Sequence, residues 1–246
     1  MTLLQAHSLS KYYGGIRAVD DVSFTLNEGE TRALIGPNGA GKSTFVSLLS
    51  GRVRPTAGKV EFRGRDITPL AAHERAQLGI AYTFQITSVF ANLDCYQNVE
   101  LAVLRQQTLA ARRGSGGDIR SADLPDQILS VLSGVGLDAH AATLAGNLAY
   151  GHQRLLELAM GLALQPVLLM LDEPTQGLAD AEIDNFIELI RQLAERSTVL
   201  IIEHNMAVVM ALAEQITVLD NGQLLAEGTP AEIQANEQVQ RAYLGQ

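Results

Sequence analysis

A glycine-rich loop near the start of the chain has the residue types that hold phosphate. It fits the pattern G-x-x-x-x-G-K-[ST] and consists of Gly36, Pro37, Asn38, Gly39, Ala40, Gly41, Lys42 and Ser43. Glycines let the backbone turn tightly, so that successive N–H groups point at an anion, and the N-terminus of a following helix attracts the same charge. Lys42 adds a positive charge for the β- and γ-phosphates, Ser43 can give its hydroxyl to Mg²⁺, and Thr44 can also contact phosphate.

A pair of acidic residues follows an apolar run later in the chain. Residues 168–171 read Leu-Leu-Met-Leu and lead directly into Asp172 and Glu173. We predict that Asp172 holds Mg²⁺ through water. Glu173 would polarise the water that attacks a γ-phosphate, a role worth about 10²- to 10⁴-fold in rate. Taken alone, the pair also fits a turn that ends a strand, since a proline comes next.

Two further polar residues stand just beyond apolar, strand-like runs. Gln85 closes one such run, and His204 stands two residues beyond another. In an open parallel sheet, ligands bind outside the carboxyl ends of the strands, so both residues are expected to meet the phosphate loop and the acidic pair at one edge. Without that context, His204 fits a surface or capping role and Gln85 an ordinary loop.

The elements that must position these residues alternate along the chain. Strand-like runs occur at 32–35, 80–84, 167–171 and 198–202, and helix-like stretches at 42–50, 153–164, 182–195 and 206–213. This alternation predicts an α/β fold with a mostly parallel sheet and helices on its faces. Residues 18–26 and 59–62 have the character of antiparallel strands, which predicts a small β-rich flank beside the main sheet.

The middle of the chain differs from both ends. Residues 96–164 show helical patterning without a convincing strand, interrupted at 112–123 by RRGSGGDIRSAD. We interpret this region as an inserted α-helical subdomain with a flexible loop. Residues 1–95 and 165–246 would then form the core that carries the phosphate loop.

Composition narrows the possible partners and compartment. The chain has 246 residues, 27 acidic against 18 basic side chains, and a formal charge of -9. This charge disfavours DNA and RNA as partners.

The single cysteine, Cys95, excludes an internal disulfide, and the sequence begins without a basic leader. No apolar run reaches the roughly 18 to 20 residues of a membrane span. A cytoplasmic location is therefore expected, with any membrane reached through another chain.

Taken in this order, the motifs resemble the nucleotide-binding domain of ATP-binding cassette proteins over essentially the whole chain. The segment LAYGHQR at 148–154 stands where that family has its signature, usually L-S-G-G-Q. Ala149 replaces the serine and Tyr150 the first glycine, so one hydroxyl contact to the γ-phosphate is in question. The backbone N–H groups of Gly151 and of neighbours such as His152 remain available at a helix start.

The resemblance implies roles that the residues alone leave open. It makes Gln85 a contact to Mg²⁺ and the link from the catalytic site to membrane subunits, and it makes His204 the switch residue that contacts the γ-phosphate. Tyr13 matches the aromatic residue that stacks on adenine, with Tyr12 as the neighbouring candidate. Ala179 stands where the family commonly has aspartate or asparagine, so communication between two sites at this loop is an open question.

The resemblance also implies an activity and partners. It predicts an ATPase with a RecA-like P-loop fold that uses ATP and Mg²⁺, on the inner face of the cell membrane beside separate permease subunits. ATP would be sandwiched between the phosphate loop of one subunit and the signature of a second, in a homodimer or a heterodimer. The AYG-type signature, the EHNM segment and the ending EGTPAEIQANEQVQRAYLG are most similar to branched-chain amino acid uptake ATPases. Urea and amide importers are similar too, and the lipopolysaccharide-export ATPase shares a comparable tail.

Two other classes explain less of the sequence. A soluble cassette ATPase of DNA repair or translation is disfavoured by the acidic balance and by the single cassette. A P-loop kinase or GTPase would leave the signature and His204 without a role. For the transport reading, the resemblance implies a groove around 85–96 that receives a short permease helix, with Phe90 as its anchor; packing of Val89, Phe90 and Leu93 inside the subdomain is the alternative.

Overall fold

Strands and helices alternate in the computed structural model, which describes residues 1–83, 88–112 and 123–244. The strands are β1 (Thr2–Tyr13), β2 (Ile16–Asn27), β3 (Thr31–Ile35), β4 (Ala57–Phe62), β5 (Arg65–Asp66), β6 (Ile80–Tyr82), β7 (Leu168–Asp172), β8 (Thr198–Ile202), β9 (Gln215–Asp220) and β10 (Gln223–Gly228). The helices are α1 (Lys42–Leu49), α2 (Ala72–Gln77), α3 (Cys95–Arg112), α4 (Leu124–Gly134), α5 (Tyr150–Ala163), α6 (Asp180–Ala194), α7 (Met206–Leu212), α8 (Pro230–Ala235) and α9 (Glu237–Leu244).

The main sheet has the strand order β10-β9-β3-β8-β7-β6. The strands from β9 to β6 run parallel, and β10 pairs antiparallel with β9 at the edge. Every residue of β3, β7 and β8 is buried, which explains why β7 and β8 consist almost entirely of apolar residues. The predicted α/β fold with a mostly parallel sheet is confirmed.

An antiparallel sheet of order β2-β1-β4-β5 forms the predicted flank. Its central strand, β1, was not predicted from the sequence. The reason is a bulge: the register with β2 shifts between Ala6 and Leu9, and Ser8 adopts a positive φ of 46°. The bulge breaks the alternation of buried and exposed residues that identifies a half-buried strand.

Helix α1 packs between the two sheets. Phe45 on α1 is fully buried and meets Phe24 of β2 edge to face, with ring centroids 5.6 Å apart. The cluster around them includes Leu34 of β3 and Leu4 of β1. Aromatic pairs in this geometry add to the free energy gained by area burial. The helix that follows the phosphate loop is therefore fixed by both sheets.

A buried arginine holds the C-terminal end of α1. Arg75 on α2 is only 1 % exposed. Its Nη1 donates to the carbonyls of Leu48 and Leu49 at 2.8 and 2.7 Å, and its Nε donates to the carbonyl of Leu70 at 3.1 Å. The last carbonyls of a helix lack partners within it, and a cation is favoured at that end of the helix dipole. Arg75 therefore fixes α1 against α2.

Helices α3, α4 and α5 share a hydrophobic cluster of their own, built around residues such as Cys95, Ile128 and Leu156. Helix α3 begins at Cys95, one residue before the boundary expected from the sequence. Most of the loop expected at 112–123 lies outside the described residues. Within the ranges that the structure describes, no helix combines the length and apolar character needed to cross a membrane.

Candidate nucleotide site

The phosphate loop and the start of β2 enclose a polar pocket of about 530 Å³. The loop joins β3 to α1, and Glu173 enters the same pocket from the end of β7. The structure thus brings the loop and the acidic pair to one edge of the parallel sheet, where ligands of such sheets bind. The lining residues are Ile16, Arg17, Ala18, Asn38, Gly39, Ala40, Gly41, Lys42, Ser43, Thr44, Glu173 and Asn221.

Two glycines of the loop stand where a side chain would collide with backbone. Gly41 has a φ of 96°, and a Cβ there would lie 2.2 Å from the carbonyl oxygen of Ala18. Gly36 has a φ of 153°, and its Cβ would lie 2.2 Å from the carbonyl oxygen of Leu219. Both positions require glycine for conformation and for space. The loop can approach β2 and β9 this closely only because it carries no side chain at these two positions.

Lys42 is held against the loop that it follows. Its Nζ donates to the carbonyl of Gly36 at 2.6 Å and to that of Pro37 at 3.0 Å. Burial lowers the pKa of the Lys42 ammonium, whereas the negative charges of Glu173 and Asp172 raise it. The ammonium therefore lies close enough to the acidic pair to be influenced by it, and it is positioned for an anion in the loop.

Asp172 is buried at the end of β7 and accepts a hydrogen bond from a tyrosine that was not predicted as a site residue from the sequence. The hydroxyl of Tyr82, from the adjacent β6, donates to Oδ2 of Asp172 at 2.5 Å. Burial raises the pKa of the Asp172 carboxyl, whereas the hydrogen bond from Tyr82 lowers it. The Arg52 guanidinium lies 4.9 Å from the Tyr82 ring centroid. The only sequence signal for Tyr82 is its place at the end of a buried strand, beside the strand that carries Asp172.

The donor set at this edge fits a magnesium ion. Mg²⁺ prefers oxygen ligands and is usually bound by one or two carboxylates together with water and phosphate oxygens. Ser43 brings a hydroxyl to the phosphate pocket, and Asp172 brings a carboxylate whose buried position favours a partner that compensates its charge. Gln85, the third ligand expected from the family resemblance, lies outside the described residues.

Glu173 and His204 follow neighbouring strands. Glu173 has a φ of 47°, an unusual backbone conformation for a residue with a side chain, and its N–H donates to the carbonyl of Ile202 at 2.8 Å. His204 follows β8, and its side chain is 60 % exposed. Glu203, which was not predicted as a site residue from the sequence, is 1 % exposed. A charged residue directly after five buried strand residues was the available signal.

The signature segment lies beside the turn that follows the acidic pair. Helix α5 begins at Tyr150 with Ala149 as its N-cap. The Tyr150 ring packs against Gly177, where a Cβ would lie only 2.7 Å from the ring. Gly151 is buried, and the His152 ring centroid is 4.7 Å from that of His140. The signature residues therefore contact the turn rather than line the phosphate pocket of their own chain.

The two candidate aromatic residues for adenine lie at the tip of the β1–β2 hairpin. Tyr13 pairs with Ile16 and Tyr12 with Arg17, and both of these partners line the pocket. The Tyr12 hydroxyl donates to Oδ1 of Asp20 at 2.7 Å, which fixes its ring. Tyr13 is the more exposed of the two tyrosines. Its ring is therefore the better placed to accept a base.

Tyr13→Ala is expected to weaken ATP binding more than Tyr12→Ala. Stacking on an aromatic ring contributes about 1–3 kcal/mol per base, so the affinity should fall roughly 5- to 150-fold. A ring face discriminates little between purines, so GTP should compete with ATP within a modest factor. Equilibrium dialysis with both nucleotides measures these effects. Unchanged affinity in both variants would show that neither tyrosine stacks on adenine.

A glycine-rich loop between β3 and α1, facing an acidic pair at the end of β7, defines a P-loop nucleotide-binding domain. The profile of the ABC transporter family matches residues 19–176 of the chain. A second profile, described as branched-chain amino acid ATP-binding cassette transporter, matches residues 223–246. The chain belongs to the ABC transporter family and is an ATP-hydrolysing cassette of that family.

Known relatives are similar over the full length of the chain. LivG of Salmonella typhimurium, a high-affinity branched-chain amino acid transport ATP-binding protein, is 39 % identical and aligns over 99 % of this chain and 98 % of its own. LptB of Acidithiobacillus ferridurans, a lipopolysaccharide export system ATP-binding protein, is 38 % identical over 99 % and 97 %. The crystal structure of MJ1267 in its ADP conformation, an ATP-binding cassette of an ABC transporter, superimposes with a TM-score of 0.85 at 27 % identity, covering 100 % of both chains.

Proposed function

We propose that this chain is the ATP-hydrolysing subunit of an importer of branched-chain amino acids, associated with the membrane through separate permease subunits. The observation that carries the proposal is the likeness to LivG over 99 % of the chain at 39 % identity. The match of the branched-chain amino acid profile to residues 223–246 supports it, because that segment lies outside the general ABC transporter match.

Two copies of the cassette are needed for turnover in this proposal. The phosphate pocket is lined by the loop, by Glu173, by residues at the start of β2 and by Asn221, which follows β9. Tyr150 and Gly151 instead lie near Gly177 and Glu182. Residues 149–152 would therefore meet ATP bound to a second cassette, through the backbone N–H groups at the start of α5. The second cassette is either identical or a related chain.

Each site residue has a defined role in this proposal. Residues 36–44 hold the phosphates, and Lys42 neutralises the charge of the β- and γ-phosphates. Ser43, Asp172 and Gln85 hold Mg²⁺, which when bound offsets the phosphate charge that develops during hydrolysis. Glu173 orients the attacking water as general base, and His204 contacts the γ-phosphate.

Lipopolysaccharide export is the second candidate function, because LptB of Acidithiobacillus ferridurans is 38 % identical. The two candidates share the ATPase site and differ in the membrane subunits and in the transported molecule. The match at residues 223–246 favours the amino acid importer.

We propose that Phe90 contacts a membrane subunit. Its side chain is 54 % exposed and borders a groove of about 460 Å³ between α2, α3 and α5. Val89, by contrast, packs against the cluster of the helical region. Residues on the opposite sides of the groove include Ala76 of α2 and Met160 of α5. We propose that this groove receives a short permease helix, with Phe90 as its anchor, and that residues 96–164 form the helical subdomain that carries the signature segment.

A buried asparagine fixes the backbone around Phe90. Asn98 is fully buried. Its Oδ1 accepts from the Phe90 N–H at 2.8 Å, and its Nδ2 lies 3.1 Å from the Phe90 carbonyl and 2.9 Å from the Asp94 carbonyl. Phe90 is thus exposed on a rigid backbone, as an interface anchor should be, since preorganisation lowers the entropy lost on binding.

Phe90→Ser is expected to leave the ATPase activity of the isolated chain at the parental level and to abolish copurification with the permeases and leucine uptake. Leu129→Ser is the matched control, because Leu129 is 44 % exposed on α4 and outside the groove. Uptake of labelled leucine by the reconstituted transporter is the measurement. Full uptake by the Phe90→Ser complex would refute the docking role. Lipopolysaccharide release without leucine uptake by the parental complex would favour the second candidate.

A further inference from the structure

The carboxylate of Glu203 accepts four hydrogen bonds at the end of β8. Its Oε1 accepts from the backbone N–H of Thr175 at 3.1 Å and from the Thr175 hydroxyl. Its Oε2 accepts from the N–H of His204 at 2.7 Å and from the N–H of Asn205 at 2.9 Å. Each carboxylate oxygen has about two acceptor positions, so the four donors fill the carboxylate.

These bonds join two segments that are far apart in sequence. Thr175 lies two residues after Glu173, in the turn that leaves β7, and it is 28 residues from Glu203. His204 and Asn205 lead from β8 into α7, and Asn205 Oδ1 caps that helix by accepting from the N–H of Ala207 at 3.0 Å. The Glu203 side chain therefore holds both the turn that follows Glu173 and the backbone at His204.

The backbone at Glu173 needs such support. A non-glycine residue with positive φ costs about 1–3 kcal/mol and persists only where its surroundings fix it. The φ of Glu173 is 47°, and its own N–H is held by the carbonyl of Ile202. The bonds from Thr175 to Glu203 fix the same turn two residues further on. Both attachments belong to the end of β8.

We propose that Glu203 is a positioning residue for hydrolysis, which sets the distance between the carboxylate of Glu173 and the imidazole of His204. This inference rests on the roles given to those two residues in the proposed function. Glu203 is not expected to touch the nucleotide, because its side chain is fully buried between the turn and α7. It acts by keeping two groups on neighbouring strands in one fixed arrangement.

A carboxylate suits this position because all four groups that hydrogen-bond to it, from three residues, are donors. The amide of Glu203→Gln keeps one acceptor oxygen and turns an NH₂ group toward the other pair of donors. One side of the link is then lost, whichever way the amide faces. Thr175→Val removes only the hydroxyl donor, whereas Thr175→Ser keeps it and is the matched control.

The test compares Glu203→Gln, Thr175→Val and Thr175→Ser in steady-state ATPase assays of the full chain, with thermal unfolding recorded for each. A displaced catalytic group reduces rate without removing ground-state contacts, so kcat of Glu203→Gln should fall roughly 10- to 100-fold with KM little changed. Thr175→Val should lose part of kcat, and Thr175→Ser should restore it. The double variant Glu203→Gln/Thr175→Val should be no slower than Glu203→Gln, because both changes break the same connection between the turn after β7 and the end of β8.

Several results would overturn the inference. One is a parental kcat in folded Glu203→Gln, or, if that variant does not fold, equal kcat in Thr175→Val and Thr175→Ser. Another is a loss of kcat in the double variant equal to the product of the two single losses. Glu173→Gln is assayed alongside: if it is inactive while Glu203→Gln is fully active, only this inference fails, and if Glu173→Gln keeps parental turnover, the proposed site itself is wrong.

Discussion

Glu173→Gln is expected to bind ATP with parental affinity and to lose about 10²- to 10⁴-fold in turnover, the contribution of a positioned general base. Glutamine keeps the shape of the side chain and removes the negative charge that orients the attacking water. The backbone bond from Glu173 to the carbonyl of Ile202 does not involve the side chain, so the positive φ of this residue should persist. The loss should therefore fall on kcat and leave KM nearly unchanged.

Steady-state hydrolysis and size-exclusion chromatography with ATP measure the consequences for Glu173→Gln. Because ATP binds and is not consumed, the variant should elute as an ATP-bound dimer. Glu195→Gln is the matched control, since Glu195 is an exposed glutamate at the C-terminal end of α6. Hydrolysis at the parental rate in Glu173→Gln would show that another group activates the water.

Lys42→Ala is expected to weaken ATP binding before any chemistry takes place. A hydrogen bond to a charged group contributes about 1.5–3 kcal/mol, which corresponds to roughly 10- to 150-fold in affinity. The change also removes the two bonds by which Nζ holds the carbonyls of Gly36 and Pro37. The loop would lose an internal support together with its contact to phosphate, so the upper end of this range is expected.

Isothermal titration with ATP at fixed Mg²⁺ and ionic strength measures the effect of Lys42→Ala. Lys59→Ala is the control for loss of one positive charge, because Lys59 is a half-exposed residue of β4 that pairs with Glu61. Lys42→Arg is also expected to bind poorly, since a larger planar guanidinium does not reproduce the compact ammonium that bonds the carbonyls of Gly36 and Pro37. Equal affinity in Lys42→Ala and the parental chain would contradict the assignment of residues 36–44 to phosphate.

The parallel core could be predicted from the sequence because burial on both faces makes a strand locally distinctive. Strands β7 and β8 carry five buried residues each, of which four in each strand are apolar. Strand β9 has a buried run, Ile216 to Leu219, and was predictable on the same ground, although it was missed. Strand β10 is half-exposed at the sheet edge and lacks such a signal, and the bulge at Ser8 hides β1.

The site residues also differ in whether the sequence alone can identify them. The phosphate loop and the acidic pair are local patterns, in which neighbours along the chain perform one task, so spacing alone identifies them. Tyr82 and Glu203 act across the fold instead: the bond from Tyr82 to Asp172 spans 90 residues, and that from Thr175 to Glu203 spans 28. A single sequence carries no record of which strands become neighbours, so residues of this kind are found only in the folded chain.

Arg75 has a consequence for the order in which the chain folds and opens. The Arg75 guanidinium reaches the carbonyls of Leu48 and Leu49 in the C-terminal turn of α1 only when α2 has docked. Until then the Leu48 carbonyl accepts from the N–H of Gly51, at 3.3 Å, and the Leu49 carbonyl lacks the guanidinium donor. Unpaired carbonyls in a buried place are costly, so α1 gains its final stability only after a segment made later in synthesis has folded. The two helices therefore form and break as one cooperative unit. The chain must extend well past the phosphate loop before that loop has a stable support.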